Sequence, residues 1–189
     1  MKEYLEKVYN FIFEPNHTYS TLKDHPRVSL GLFTLVWVNI LMYSLKYVFT
    51  GDPLNVVWYF FTLLKYIITV VIAWFVLGLF FEYIAKIFAR SGKLKTLLFL
   101  TSFSVLPWVF LAPLELLKQA ADIGYFFAVL FEIIIYFWTI FLYCKSLEIT
   151  YDLRFSRAVM LIFLPFIASF FAFAWSIGFI SKLIYIFNV

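Results

Sequence analysis

The chain has few charged residues and almost no cysteine or histidine. Asp, Glu, Lys and Arg make up only 14% of its 189 residues, compared with about 25% in a typical soluble domain. A small globule has a high surface-to-volume ratio, so this number of charges cannot cover one in water. The composition therefore excludes a soluble enzyme, a disordered tail and a disulfide-rich secreted domain.

Residue types and motifs that catalysis uses are also scarce. The single Cys144 excludes an intrachain disulfide and a cysteine-rich metal site. The sequence contains no Gly-rich phosphate loop, no His-Glu-x-x-His and no Gly-x-Ser-x-Gly. We therefore predict a non-enzyme without a cofactor or a bound metal. The first residues also lack the pattern of a cleavable signal peptide.

Apolar surface, in contrast, is abundant: 65% of the residues are hydrophobic and 24% are aromatic. A membrane-spanning helix needs about 20 mostly apolar residues, and five stretches meet that requirement. They are residues 28–49, 56–88, 94–117, 123–147 and 158–187. Because backbone groups in lipid must be hydrogen-bonded within their own segment, each stretch is predicted to be a helix. The predicted fold is an all-α, polytopic bundle of five transmembrane helices over residues 27–189.

Residues 1–26 are predicted to form a cytoplasmic arm at the membrane interface. Apolar residues recur at near-helical spacing from Tyr4 to Ile12, with charged residues between them. This pattern is typical of an amphipathic helix that lies in the interface, and Pro15 ends it. A simple interfacial anchor is the plainer interpretation, and binding of a partner is the alternative.

The basic residues are distributed unevenly among the connections. Eleven of the fifteen Lys and Arg residues lie before the first span, or in the second-to-third and fourth-to-fifth connections together with the adjoining ends of their spans. Since such residues collect in cytoplasmic loops, the N-terminus is predicted to be cytoplasmic and the C-terminus outside. The net charge of +4 therefore reflects topology, and no nucleic-acid partner is expected. Candidate contacts for anionic lipid head groups are Lys86, Arg90, Lys93, Lys95, Arg154 and Arg157.

Two charged residues lie deep within predicted spans. Lys65 is in the second span and Glu132 is in the fourth, at similar depths. A lone charge at such a depth is costly, and intramembrane charges usually face the bundle and pair. We therefore hypothesise a Lys65–Glu132 pair, with Glu115 as a rival partner. A structural pair and a Lys65 that extends towards the outer surface are the alternatives to a functional polar pocket.

Prolines and small residues mark two further features of the spans. Pro107 and Pro113 in the third span and Pro165 in the fifth are candidate kinks or hinges, because a proline inside a helix removes a hydrogen bond. Ala168, Ala172 and Ser176 recur at four-residue spacing in the fifth span. Small residues on one face allow helices to approach closely. Packing within the bundle and a homodimer face are the two interpretations.

Several motifs, taken in order, resemble the Yip1 domain family in its short prokaryotic form. Phe13-Glu14-Pro15 followed by Thr18-Tyr19 is similar to the opening segment of that family. The loop that enters the third span, the stretch from Ser102 to Pro107 and the exit of the fourth span are similar to later parts of it. They read Ser-Gly-Lys-Leu-Lys-Thr-Leu-Leu from Ser91, Ser-Phe-Ser-Val-Leu-Pro from Ser102, Trp138 through Leu147, and Ser156-Arg157-Ala158.

The resemblance implies an integral membrane protein without known catalysis, in a prokaryotic cytoplasmic membrane. Eukaryotic relatives act in early secretory traffic and interact with prenylated small GTPases. Their cytosolic Asp-Leu-Tyr-Gly-Pro signature is absent here, and Phe103-Ser104 replaces the typical Gly-Tyr, so no GTPase-binding residue can be mapped onto this chain.

The predicted function is a non-catalytic scaffold that organises the membrane or binds partners. Its expected partners are membrane lipids, other membrane proteins and a second copy of the chain. The alternative is a transporter or channel for a small solute, an ion or a lipid, with a polar pocket near Lys65 and Glu132.

Overall fold

The structure, a computed structural model, describes residue 23 and residues 26–50, 56–87, 93–120 and 122–187. All regular structure within these ranges is helical, and they contain no strand. The elements in chain order are α1 (Val28–Thr50), α2 (Val56–Ile87), α3 (Leu94–Phe103), a 3₁₀ segment (Leu106–Phe110), α4 (Leu111–Ala120), α5 (Asp122–Tyr151) and α6 (Phe155–Phe187).

Five helical stretches are long and apolar enough to cross a membrane, as the hydrophobic runs predict. Four of them are single helices, and the third combines α3, the 3₁₀ segment and α4. Helices α2, α5 and α6 contain 32, 30 and 33 residues. At 1.5 Å per residue, each is longer than the roughly 30 Å hydrocarbon core, so each must tilt or extend beyond it. The predicted amphipathic helix of the arm lies outside the described residues.

The third span is broken where a kinked but continuous helix was predicted. Helix α3 ends at Phe103, a turn follows at Ser104 and Val105, and the 3₁₀ segment then starts with Pro107 in its first turn. Pro113 lies in the first turn of α4. A proline is tolerated at these positions because the first N–H groups of a helix have no intrahelical partner. Both prolines therefore begin helical segments rather than interrupt one.

Helix α3 forms the centre of the bundle. Within the third span, 78% of the most apolar window is buried, whereas the other four spans bury only 17–28%. The seven residues from Leu97 to Phe103 are all buried. Since α1, α2 and α5 all contact α3, the bundle is assembled around this short helix.

Glycines allow α1 and α2 to approach α3 closely. A Cβ atom at Gly31 of α1 would lie 2.5 Å from Ser102 Oγ and 3.3 Å from the Cα atom of Phe99. A Cβ atom at Gly78 of α2 would lie 2.4 Å from a methyl carbon of Leu98. These positions use glycine in the way that small residues are used between packed membrane helices.

Single polar contacts link neighbouring helices within the apolar core. Tyr66 of α2 donates a hydrogen bond to Asn39 of α1 at 2.9 Å, and Asn39 is fully buried. Trp74 of α2 donates through Nε1 to Thr101 of α3 at 3.2 Å. Ser104, just after α3, lies 3.2 Å from the hydroxyl of Ser146 on α5. Such bonds satisfy buried polar groups that would otherwise destabilise the bundle.

The turn between α5 and α6 is shorter than the sequence predicts. The fourth span was expected to end at residue 147 and the fifth to begin at residue 158, but α5 continues to Tyr151 and α6 begins at Phe155. Asp152 adopts a left-handed backbone with φ of 52°. The N–H of Leu153 then bonds to the carbonyl of Glu148 at 3.0 Å. This hydrogen bond is the one that closes a Schellman motif at a helix C-terminus.

Among the described side chains of helix α6, those buried in the bundle belong to its first turns. Ala158, Leu161 and Ile162 are buried in the apolar cluster that also contains Leu147 and Leu153. Every side chain that the structure describes between positions 163 and 179 is exposed. Seven large apolar side chains there are 51–72% exposed, namely Ile167, Phe170, Phe171, Phe173, Trp175, Ile177 and Phe179.

Candidate functional site

The bundle contains a cavity of about 350 Å³ between α1, α2, α4 and α5. It lies in the half of the bundle nearest the end where α1 finishes and α2 begins, which we call the α1–α2 end. The opposite end, where α5 turns into α6, is called the α5–α6 end. Both α4 and α5 contribute charged residues to the cavity.

Two carboxylates in the cavity share one lysine. Glu115 of α4 and Glu132 of α5 line the cavity. Lys118, one turn after Glu115, lies 3.3 Å from Glu115 Oε1 and also donates a hydrogen bond to Glu132 Oε1. The three side chains are only 20–26% exposed. The group formally carries two negative charges and one positive charge, so these three side chains together have a net charge of −1.

Aromatic rings form much of the remaining wall. Tyr43 of α1, Tyr66 of α2, Tyr136 of α5 and Trp108 of the 3₁₀ segment line the cavity. The rings of Tyr43 and Tyr66 are stacked with centroids 5.2 Å apart. The Nε1–H of Trp108 is buried and has no hydrogen-bond partner among the described residues. Lys46, near the end of α1, is exposed and also lines the cavity.

The structure does not contain the hypothesised Lys65–Glu132 pair. Glu132 forms an ion pair with Lys118 instead. Lys65 is exposed on α2, although its neighbour Tyr66 lines the cavity. Consecutive residues of a helix do not share a face, so the two side chains point in different directions. Glu115, the rival partner in that hypothesis, lies 3.3 Å from Lys118, and Lys118 was not recognised from the sequence as the partner of Glu132.

A second charged group joins three parts of the chain at the α5–α6 end. Asp152 pairs with Lys23 of the N-terminal arm at 2.7 Å and with Lys93, just before α3, at 3.0 Å. The hydrogen bonds from Lys23 and then from Lys93 lower the pKa of the Asp152 carboxyl from its ordinary value. This ion cluster is invisible to sequence reasoning because its members are separated by 59 and 129 positions.

The candidate contacts for anionic lipid head groups fall into three groups. Lys86, Lys95, Arg154 and Arg157 are exposed, as lipid contact requires. Lys93 pairs with Asp152 instead. Arg90 lies outside the described residues.

A buried carboxylate near the α5–α6 end escaped the sequence analysis. Glu82 of α2 is 8% exposed and accepts a hydrogen bond from the hydroxyl of Tyr151, which is fully buried at the end of α5. Glu82 lies near the end of the predicted second span and was not singled out from the sequence. Only the packing of α5 against α2 shows that it is enclosed.

The small residues of α6 are only partly described. Ser176 is exposed, as are Ala174 and Gly178, and no atom lies within 4 Å of a Cβ built at Gly178. Ala168, Ala172 and Pro165 are part of the continuous helix α6, and their side chains lie outside the described part of the structure.

The five apolar helices, with their central broken span and enclosed polar groups, define an integral membrane protein of the helical-bundle class. The chain belongs to the Yip1 domain family, whose family model matches residues 9–176. This family is generally one of non-enzymatic membrane proteins. No curated protein and no solved structure matches the chain.

Proposed function

We propose that this protein is a non-catalytic scaffold that organises its membrane by associating through α6. The observation that carries this proposal is the exposure of α6 beyond its first turns. Its described side chains from position 163 to 179 are exposed, so they are available to lipid or to a partner. Because the described side chains of α6 are buried only near one end of the helix, a second protein can pack against the exposed ones.

A second copy of the chain is the partner that α6 fits best. Ala174 and Gly178 are exposed at four-residue spacing, and the space beside Gly178 is open. Membrane helices associate without a hydrophobic driving force between them, so close packing of small residues supplies the attraction. The large aromatic side chains on either side, such as Trp175 and Phe179, would then pack around the contact.

The position of the cavity supports this role over transport. The cavity lies towards one end of the bundle, and the chain is buried at every position from 97 to 107 before it reaches the cavity wall at Trp108. A transport path would have to cross this buried layer. A binding site open at one end, within a scaffold, fits the arrangement better.

Self-association is tested by the oligomeric state of the purified protein in lipid nanodiscs and by native mass spectrometry. Gly178→Leu and Ala172→Leu should convert a dimer to a folded monomer, because the added side chains prevent close approach. Ala73→Leu is the matched control, since Ala73 is an exposed small residue of another helix, α2. A monomeric wild type, or equal loss of dimer in the control, would overturn the proposal. Proteoliposome flux that disappears in Glu132→Gln would favour the transporter instead.

A further inference from the structure

The cavity between α1, α2, α4 and α5 has the chemistry of a binding site for a zwitterion. We infer that it takes a ligand in which an organic ammonium group lies next to an anionic phosphate. The ammonium would lie against Glu115 and Glu132, and the phosphate would lie towards Lys46. The same group occurs in a soluble phosphocholine-type compound and in the head group of a zwitterionic phospholipid, and the experiment below separates these sources.

The carboxylates provide the first argument. Glu115 and Glu132 share the single ammonium of Lys118, so these three side chains together carry one negative charge more than positive, and the remaining cation of the lining, Lys46, is exposed. An uncompensated charge within a membrane bundle is costly. A bound ammonium group would complete the charge balance. Simple structural pairing would need only one carboxylate for one lysine.

The aromatic walls provide the second argument. Tyr43, Tyr66, Tyr136 and Trp108 surround the same space as the carboxylates. Rings of this kind attract organic cations through their negative faces, and cages of such rings recognise methylated ammonium groups. The volume of about 350 Å³ is within the range of small-molecule pockets, roughly 300–1,000 Å³.

Lys46 and Trp108 indicate that the ligand also carries an acceptor. Lys46 is exposed and lines the cavity, so it repels a simple cation and attracts an anionic group beside the ammonium. The buried Nε1–H of Trp108 has no acceptor among the described residues. Buried donors in native proteins are nearly always paired. A phosphate oxygen, directly or through a bridging water, would satisfy it.

Binding is measured on the full chain purified in a maltoside detergent, by calorimetric titration with phosphocholine and with choline chloride. Phosphocholine should bind, and choline should bind more weakly because it lacks the group that Lys46 attracts. Glu132→Gln should weaken phosphocholine binding by about tenfold or more, since it removes one of the charge-assisted contacts. Asp152→Asn, at the opposite end of the bundle, is the matched control and should leave the affinity unchanged.

Two further variants test the inference even if Glu132→Gln does not fold. Lys46→Gln alters an exposed side chain and should reduce the preference for phosphocholine over choline. Lys118→Gln removes the internal competitor of the ligand and should increase the affinity for choline. A merely structural role for these residues would change thermal stability without producing these opposite changes in ligand preference.

The source of the ligand is resolved with nanodiscs of phosphatidylcholine or of phosphatidylglycerol, followed by native mass spectrometry of retained lipid. Retention of phosphatidylcholine alone, lost in Glu132→Gln, assigns the site to a lipid head group. Binding of soluble phosphocholine without lipid retention assigns it to a soluble zwitterion. The inference is overturned if neither probe binds, or if Glu132→Gln and Asp152→Asn behave alike. The α6 variants do not alter the cavity, so this result and that of the dimer test are independent.

Discussion

Asp152 combines a backbone role with an electrostatic one. Its φ of 52° lies in the left-handed region, which Asp, Asn and Gly adopt more easily than other residues. Its carboxylate faces Lys23 and Lys93. One residue therefore ends α5, directs the chain into α6 and holds Lys23 and Lys93 close to each other.

Removal of the Asp152 charge should destabilise the protein in a pH-dependent manner. The lysines favour the ionised carboxylate, so its pKa in the folded protein lies below the ordinary 3.8. The stabilisation is therefore fully present above about that pH and is lost as the pH falls through the lowered pKa. Because the pairs are partly exposed, Asp152→Asn should cost only about 0.2–1 kcal/mol per pair at pH 7.

The measurement is thermal unfolding of wild type and Asp152→Asn in detergent across pH 3–7. The difference between them should shrink below about pH 4. Asn and Gly both tolerate the left-handed backbone, so Asp152→Gly serves as the control that separates charge from strain. A difference that stays constant over the whole range would show that the charge has no part in it.

The buried pair of Glu82 and Tyr151 is the second prediction at this scale. Tyr151→Phe removes the hydroxyl that donates to Glu82 and leaves a carboxylate that is 8% exposed with one donor fewer. Loss of a partner to a buried charged group costs about 1–3 kcal/mol. Tyr83→Phe is the matched control, because Tyr83 is the next residue along α2 and is 70% exposed.

The measurement is the free energy of unfolding in mixed micelles of a mild detergent and a denaturing detergent. The free energy of unfolding of Tyr151→Phe should be about 1–3 kcal/mol below that of wild type. The free energy of unfolding of Tyr83→Phe should equal that of wild type. Equal stability of all three proteins would mean that the Glu82–Tyr151 contact does not hold α2 against α5.

At the scale of the helix, close contact between α1 and α3 depends on the absence of a side chain at Gly31. Gly31→Ala would place a Cβ atom 2.5 Å from Ser102 Oγ, so the helices must separate or the serine must rotate. Overpacking of this kind typically costs about 1–3 kcal/mol. Removing the hydroxyl in Ser102→Ala should relieve part of the clash. The rest should remain, because the added Cβ atom would still lie 3.3 Å from the Cα atom of Phe99.

A double-mutant cycle measures this coupling directly. Gly31→Ala should destabilise the wild type more than it destabilises the Ser102→Ala protein. Additive effects of the two substitutions would show that the helices adjust elsewhere and that the approach of α1 to α3 is not set by this pair.

Individual helices were predicted well from the sequence, and their ends were predicted less well. The run of apolar residues in each span is a local property, so four spans appear as single helices where the hydropathy places them. The extension of α5 to Tyr151 was missed because residues 148–152 contain several polar side chains. In the structure, Tyr151 and Leu153 are buried against other helices, and this packing extends the helix.

For the whole molecule, the uneven distribution of basic residues leads us to propose a cytoplasmic N-terminus and an outer C-terminus. The proposal predicts that the α1–α2 end, with Lys46, faces outside, and that Lys95 faces the cytoplasm. Both side chains are exposed. In a Cys144→Ala background, a membrane-impermeant maleimide should label Lys46→Cys in intact cells and Lys95→Cys only after permeabilisation. The opposite labelling pattern would invert the proposed topology.

The sequence alone determined the class of this protein. Hydropathy, span length and the scarcity of charge are sums over neighbouring residues, so they identify a helical membrane bundle without knowledge of any contact. The order of the short motifs similarly indicated the Yip1 domain family. Neither property depends on which helices touch.

The tertiary structure alone decided which residues meet. Whether Glu132 contacts Lys65 or Lys118 depends on how α2, α4 and α5 are rotated about their axes, and the side chains of one helix point in all directions. The central position of α3, the cavity beside it and the exposure of α6 likewise follow from packing between distant segments. Such contacts depend on the shapes of several helices at once, and a local pattern in the sequence does not predict them.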